Sequence, residues 1–125
     1  MTKQIINTED APKAIGPYSQ AIKISNFIFV SGQLPIDPST GKIPGDIKAQ
    51  VHQSLKNISS ILNQAGSSLS QVIKTTIFLK DLNDFSLVNK IYGDYFKADY
   101  PARSTIQISK LPLDAKVEIE VISTL

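Results

Sequence analysis

The sequence predicts an α+β domain, a mixed sheet of about six strands with two long helices packed on one face. Three observations predict it. Apolar residues recur at three- and four-residue steps over residues 47–65 and again over 84–96, the spacing of one helix face. Short runs rich in Ile, Val, Thr and Phe stand before, between and after these stretches. Gly and Pro punctuate the connections, and no segment repeats another.

Taken in order, Gln4-Ile5-Ile6 reads as a short first strand, followed by a polar, turn-rich stretch from Thr8 to Ala14. Gly16-Pro17 is a turn that presents Tyr18 from a loop. Ala21–Ile24 and Phe27–Val30 form a hairpin through Ser25-Asn26. Because Phe27-Ile28-Phe29-Val30 is apolar on both sides, both faces of that strand are expected to be covered. Ser31-Gly32-Gln33 follows, then a loop broken by Pro35, Pro38, Gly41, Pro44 and Gly45. Asp46 is placed to cap a helix whose stripe is Ile47, Val51, Leu55, Ile58, Leu62 and Ala65, with Gly66 as its stop. Val72–Leu79 reads as a strand. A second helix runs from about Asp84 to Phe96, with Asn83 or Asp81 as its cap. Arg103–Ile108 and Lys116–Ser123 close the chain as strands around Leu111-Pro112-Leu113-Asp114. Two helices cover one face of such a sheet, so the apolar residues left on the other face predict a homo-oligomer.

The 125 residues make one domain, residues 1–125, with 42% apolar and 19% charged content. The net charge of +2 is carried by lysines that never cluster, which speaks against a nucleic-acid surface. Absence of cysteine excludes thiolate nucleophiles, disulfides and Cys-held metals. The single histidine, His52, excludes a His-Glu-x-x-His metal site and a paired-histidine ribonuclease, and no phosphate-binding glycine loop occurs. The N-terminus lacks a signal-peptide profile and no apolar run reaches membrane-spanning length, so a cytoplasmic protein is expected. Enzymatic work would therefore fall to carboxylate, guanidinium, phenol, hydroxyl and backbone amide groups.

Within that inventory Arg103 stands out as the only arginine, set among twelve lysines. Only Arg offers a planar fork that grips a carboxylate through two parallel hydrogen bonds. Pro101 places it at a loop-to-strand junction, although an ordinary surface ion pair is the commoner use of such a residue. Glu118 and Glu120, two of three glutamates, alternate with Val117, Ile119 and Val121. They either line a solvated strand face or come near Arg103 after the Pro112 turn, where one could activate a water; strand register decides between these.

Pro101-Ala102-Arg103-Ser104, then Leu111, then Val117-Glu118-Ile119 resembles the C-terminal signature of the Rid family, the reactive intermediate deaminases or YjgF-like proteins. Ile15-Gly16-Pro17-Tyr18-Ser19-Gln20-Ala21, Val30-Ser31-Gly32-Gln33-Leu34-Pro35 and Lys80-Asp81-Leu82-Asn83-Asp84-Phe85 extend the resemblance over nearly the whole chain, in its archetypal RidA branch. The resemblance implies a chorismate-mutase-like fold, a homotrimer with ligand sites in clefts between subunits, and no cofactor or metal. It implies hydrolysis of 2-imino acids, the tautomers of 2-aminoacrylate and 2-aminocrotonate, to 2-keto acids and ammonia. By the same resemblance Arg103 holds the substrate carboxylate and Glu118 positions and activates water. Tyr18 and Ser31 line the site, backbone groups of Gly32 and Thr105 complete the contacts, and Asn89 adds a side chain from the second helix. Many relatives carry Cys where this chain has Thr105, which is harmless if that position acts through its backbone N–H.

Two other classes compete. Relatives are described as translation inhibitors with ribonuclease activity, against which the dispersed lysines and lone histidine weigh. A non-catalytic small-metabolite-binding or chaperone-like module would keep Arg103 but has no need of Glu118.

Overall fold

The computed structural model describes residues 1–125. Its elements are Gln4–Ile6 (β1), Ala21–Ile24 (β2), Phe27–Gln33 (β3), Ile47–Gln64 (α1), Val72–Leu79 (β4), Phe85–Phe96 (α2), Ala102–Gln107 (β5) and Val117–Thr124 (β6). One sheet holds all six strands in the order β1-β2-β3-β6-β4-β5. Only the β4–β5 pair is parallel. The expected six strands and two helices are present, and neither helix is long and apolar enough to cross a membrane.

Topology explains why both helices share a face. The chain passes from β3 through α1 to β4, then from β4 through α2 to β5, moving across the sheet in the same direction each time. Crossovers between parallel strands are right-handed, so two made in one direction lie on one side. Ile28, Ile77, Val117, Ile119 and Val121 point to that side and meet Val51, Leu55, Ile58, Leu62, Val88 and Ile91 of the helices. Each such buried side chain contributes about 1.5–3 kcal/mol.

Helix α1 begins and ends as its sequence dictates. The Asp46 carboxylate accepts from Ala49 N–H at 2.7 Å, a cap contributing about 1 kcal/mol. At the other end Gly66 takes φ +83°, while Ser67 N–H donates to Leu62 O and Gly66 N–H to Asn63 O. That is a Schellman closure, and the left-handed conformation is why glycine stands there.

Several boundaries differ from expectation. Strand β3 continues past Val30 through Ser31-Gly32-Gln33, because β6 keeps pairing with it after a bulge. Two residues, Ser31 and Gly32, there face the single Glu120 between the pairs Val30–Val121 and Gln33–Ile119. Strand β5 starts at Ala102 and ends at Gln107, and β6 runs from Val117 to Thr124. Helix α2 starts at Phe85 without a side-chain cap. Asp81 instead caps a short 3-10 turn, Leu82–Asp84, through Asn83 N–H, and Asn83 caps nothing.

Within one chain only one face of Phe27–Val30 is covered. Ile28 and Val30 are buried under the helices, whereas Phe27 and Phe29 are 43% and 45% exposed. Ile106 stands on the same open face of β5. The helix-free side of the sheet therefore keeps an apolar surface uncovered.

Four buried polar side chains that strand and helix patterns do not flag hold the loops. Gln20 accepts from Thr8 N–H and donates to the carbonyls of Thr8, Ala11 and Pro12, tying the N-terminal loop to β2. Ser54 donates to Gln33 O, Asn57 to Leu34 O and Ile36 O, and Gln50 bridges Pro44 O and Lys116 N–H. The proline-rich loop before α1 is thus fastened by α1 itself.

Candidate active site

The sequence-predicted site residues form two groups on opposite faces of the sheet. Arg103 pairs with Thr75 and Thr105 with Ile77 in the parallel β4–β5 register. Thr75 and Ile77 are fully buried under the helices, so Arg103 and Thr105 point to the helix side. On β6, Val117, Ile119 and Val121 take the core side, which sends Glu118 and Glu120 to the open face. Glu118 pairs with Phe78 of β4, and β4 separates it from β5. Of the two readings left open for Glu118 and Glu120, alternation therefore gives the open strand face within one chain, on the side away from Arg103.

The Arg103 group lines a cleft of about 420 Å³ with Asn89, Tyr92, Gly93, Tyr100 and Pro101. No acid faces the guanidinium; the single ion pair of the chain is Lys80–Asp114. Arg103 is therefore not part of an intramolecular ion pair. Its Cζ lies 4.8 Å from the Tyr92 ring centroid and 5.5 Å from that of Phe85. Both Thr105 Oγ1 and Asn89 Oδ1 are buried without a hydrogen-bond partner, leaving unused polar capacity near the same strand and helix.

The second group gathers where β3 bulges beside β6. Tyr18 and Gly32 line a small pocket of about 40 Å³ with Gln20, Gln33 and Leu34. Tyr18 is 53% exposed and its hydroxyl accepts from Ile15 N–H at 3.4 Å. The Ser31 hydroxyl donates to Ser19 O at 2.6 Å, fixing it against the loop that carries Tyr18. Glu118 lies against Gly32 so closely that any side chain at Gly32 would overlap its carboxylate. Burial pushes the Glu118 carboxyl above the ordinary glutamate range, and the neighbouring Glu120 adds to the rise. An acid of raised pKa makes a stronger base once ionised, the property wanted for activating water.

His52 sits on the exposed flank of α1 and its Nδ1 is 2.9 Å from the Tyr95 hydroxyl, with no acid to orient it. No cluster of three or more His, Asp or Glu is placed to hold a metal ion. Tyr92, Gly93 and Tyr100 also line the cleft, and no motif in the sequence assigns them a site role. The available signal was the aromatic density of α2 one element before the lone arginine.

A six-stranded mixed sheet carrying two helices on one face is the fold of one known group of solved structures. A family model described as endoribonuclease L-PSP matches residues 8–125. A RutC family protein of Pyrococcus abyssi is 55% identical over 124 residues, covering 98% of both chains. The 2-iminobutanoate/2-iminopropanoate deaminase of Escherichia coli K12 is 48% identical over 121 residues, covering 94% of each. The crystal structure of a Rid-family protein from Yersinia pestis superposes with a TM-score of 0.97 at 51% identity, covering 99% of this chain and 100% of the other. The chain belongs to the Rid (YjgF) family.

Proposed function

We propose that the protein is a cofactor-independent deaminase that hydrolyses 2-imino acids, 2-iminopropanoate and 2-iminobutanoate, to 2-keto acids and ammonia. The observation that carries this reading is the Arg103 guanidinium, presented in a cleft with no acid of its own chain against it. Such a fork is ready for a ligand carboxylate. The Escherichia coli relative bearing the deaminase name supports the choice of carboxylate.

In this reading Arg103 grips the carboxylate and Thr105 and Asn89 add contacts beside it. Glu118 takes a proton from water as the oxygen attacks C2 of the imine. Glu118 passes that proton to the nitrogen to give the carbinolamine, then relays the carbinolamine's hydroxyl proton to the amino group as the C–N bond breaks, releasing ammonia and the keto acid. Tyr18, Ser31 and the Gly32 backbone orient the water and the imine nitrogen. Since the two groups occupy opposite faces of one chain, the reading includes a homotrimer in a chorismate-mutase-like assembly. In it the open face of one subunit brings Glu118 to the Arg103 cleft of the next. The uncovered Phe27, Phe29 and Ile106 give that face an apolar surface to bury.

The test is release of ammonia and keto acid from freshly generated 2-aminoacrylate or 2-aminocrotonate. Wild type should accelerate it, Arg103→Ala and Glu118→Ala should not, and Arg103→Lys should lose about 10-fold or more because charge persists without the fork. No acceleration by a correctly assembled oligomer would overturn the deaminase, and wild-type turnover by Arg103→Lys would overturn the role of the fork.

A further inference from the structure

Arg103 is held by an aromatic platform, and the platform is itself anchored. Tyr92 is only 4% exposed, and its hydroxyl is hydrogen-bonded to Thr75 Oγ1 at 2.8 Å. Thr75 is fully buried and stands directly beside Arg103 in the β4–β5 register. The strand next to the guanidinium thus fixes the ring over which the guanidinium lies. Phe85, two turns earlier on the same face of α2, lies on the same guanidinium at 5.5 Å.

This arrangement differs chemically from steadying a half-buried arginine with an acid. An acid partner would occupy the fork and cancel its charge. A ring attracts the cation through its face and leaves the five N–H donors free for a ligand. An arginine side chain also carries about 2 kcal/mol of rotamer entropy. Ordering it before the ligand arrives removes part of that cost from binding.

We propose that Tyr92 is a positioning residue for Arg103, with Thr75 as its anchor: the ring holds the guanidinium in its ligand-ready place and keeps its donors unspent. This rests on reading Arg103 as the carboxylate-binding group, and the experiment separates the two.

Arg103 is the only arginine, so its Nε–H gives the sole arginine side-chain signal in an NMR spectrum of the isotope-labelled oligomer. In wild type that signal should be displaced upfield by the Tyr92 ring current. Tyr92→Leu should move it toward the position of a free arginine, with Phe85 keeping a smaller part of the displacement, and Tyr92→Phe, which keeps the ring and loses only the Thr75 bond, should leave it closer to wild type than to the Leu variant. In parallel, the Kd for 2-oxobutanoate and the KM for 2-iminobutanoate should rise about 10-fold in Tyr92→Leu, the scale of a partly desolvated cation–π contact. The fall in kcat should be smaller than the rise in KM, and Tyr92→Phe should recover most of both. If Tyr92→Leu does not fold, Tyr92→Met, whose flexible thioether fills irregular space, makes the same removal of the ring. An unchanged Arg103 signal in a folded ring-less variant would overturn the proposal, as would a Phe variant as impaired as Leu. If the signal moves as expected but wild type neither turns over the imine nor binds 2-oxobutanoate, the positioning stands and the deaminase reading falls.

Discussion

Arg103 projects from the helix-covered face of β5 and Glu118 from the open face of β6, with β4 between them. A small 2-imino acid cannot touch both in one chain, so a site that uses both must draw them from two chains. Subunits carrying Arg103→Ala and subunits carrying Glu118→Ala, unfolded together and reassembled, should then regain activity that neither has alone. In a randomly mixed equimolar trimer with sites between neighbours, about a quarter of the sites would be intact. Turnover by the mixture near a quarter of wild type is the expected result; none would mean that each site is built within one subunit.

Gly32 should be irreplaceable for activity while being tolerant for folding. A Cβ there would overlap Glu118 Oε1, with Glu118 Cδ and Cγ next nearest at 2.9 and 3.2 Å. The obstruction is the end of a flexible side chain, so the backbone need not move and the carboxylate swings aside instead. Gly32→Ala should melt close to wild type yet lose about 100-fold in kcat, the lower range for a displaced general base. A Gly32→Ala protein of full activity would show that the Glu118 position seen here is not the working one.

The pH dependence should follow Glu118. Its carboxyl is raised first by burial and second by Glu120, and only the ionised form takes a proton from water. Activity should therefore rise with pH through a value above the ordinary glutamate range. Glu120→Gln removes the second cause and should move that limb toward lower pH, with burial preserving part of the displacement. Stability runs the other way. Between the ordinary and the raised value the folded state binds more protons than the unfolded state, so stability falls as pH rises through that window. Glu118→Gln should accordingly be more stable than wild type above the window and equal to it below, as read from urea midpoints. A limb unmoved by Glu120→Gln would remove Glu120 as a cause.

Gln20 ties the Thr8–Pro12 loop to β2 through four hydrogen bonds, and Tyr18 lies between these points in sequence. Gln20→Ala should cost about 2 kcal/mol in unfolding free energy, since several partly buried loop groups lose their partners. It should also loosen the Tyr18 loop, seen as faster amide exchange from Thr8 to Ser19. Unchanged exchange would mean that the loop is held by other contacts.

Much of the fold is readable from residue pattern. The α1 stripe with Asp46 before it and Gly66 after it predicts that helix to within a residue, because cap, period and stop are all local properties. Strand ends are less readable. The extension of β3 through Ser31-Gly32-Gln33 depends on β6 continuing to pair with it past a bulge, and nothing in those three residues announces a partner some ninety positions away. The polar residues Gln20, Gln50, Ser54 and Asn57 likewise look like surface positions until the loops they fasten are folded against them.

For the site, chemistry was legible and geometry was not. The lone arginine, the glutamates of the last strand and the Gly-Pro-Tyr turn stand in the sequence as types and spacings, and the family motifs attach to them. Which face each occupies is a matter of register, and a one-residue slip in a strand reverses it. Only the tertiary structure decided that Arg103 pairs with Thr75 and so joins the helices, that Glu118 faces the opposite side, and that Tyr92 lies beneath the guanidinium. The sequence by itself determined which functional groups this protein has, because those are covalent facts. Their neighbours are set by long-range strand pairing, in which the free energy of packing two apolar faces chooses the register.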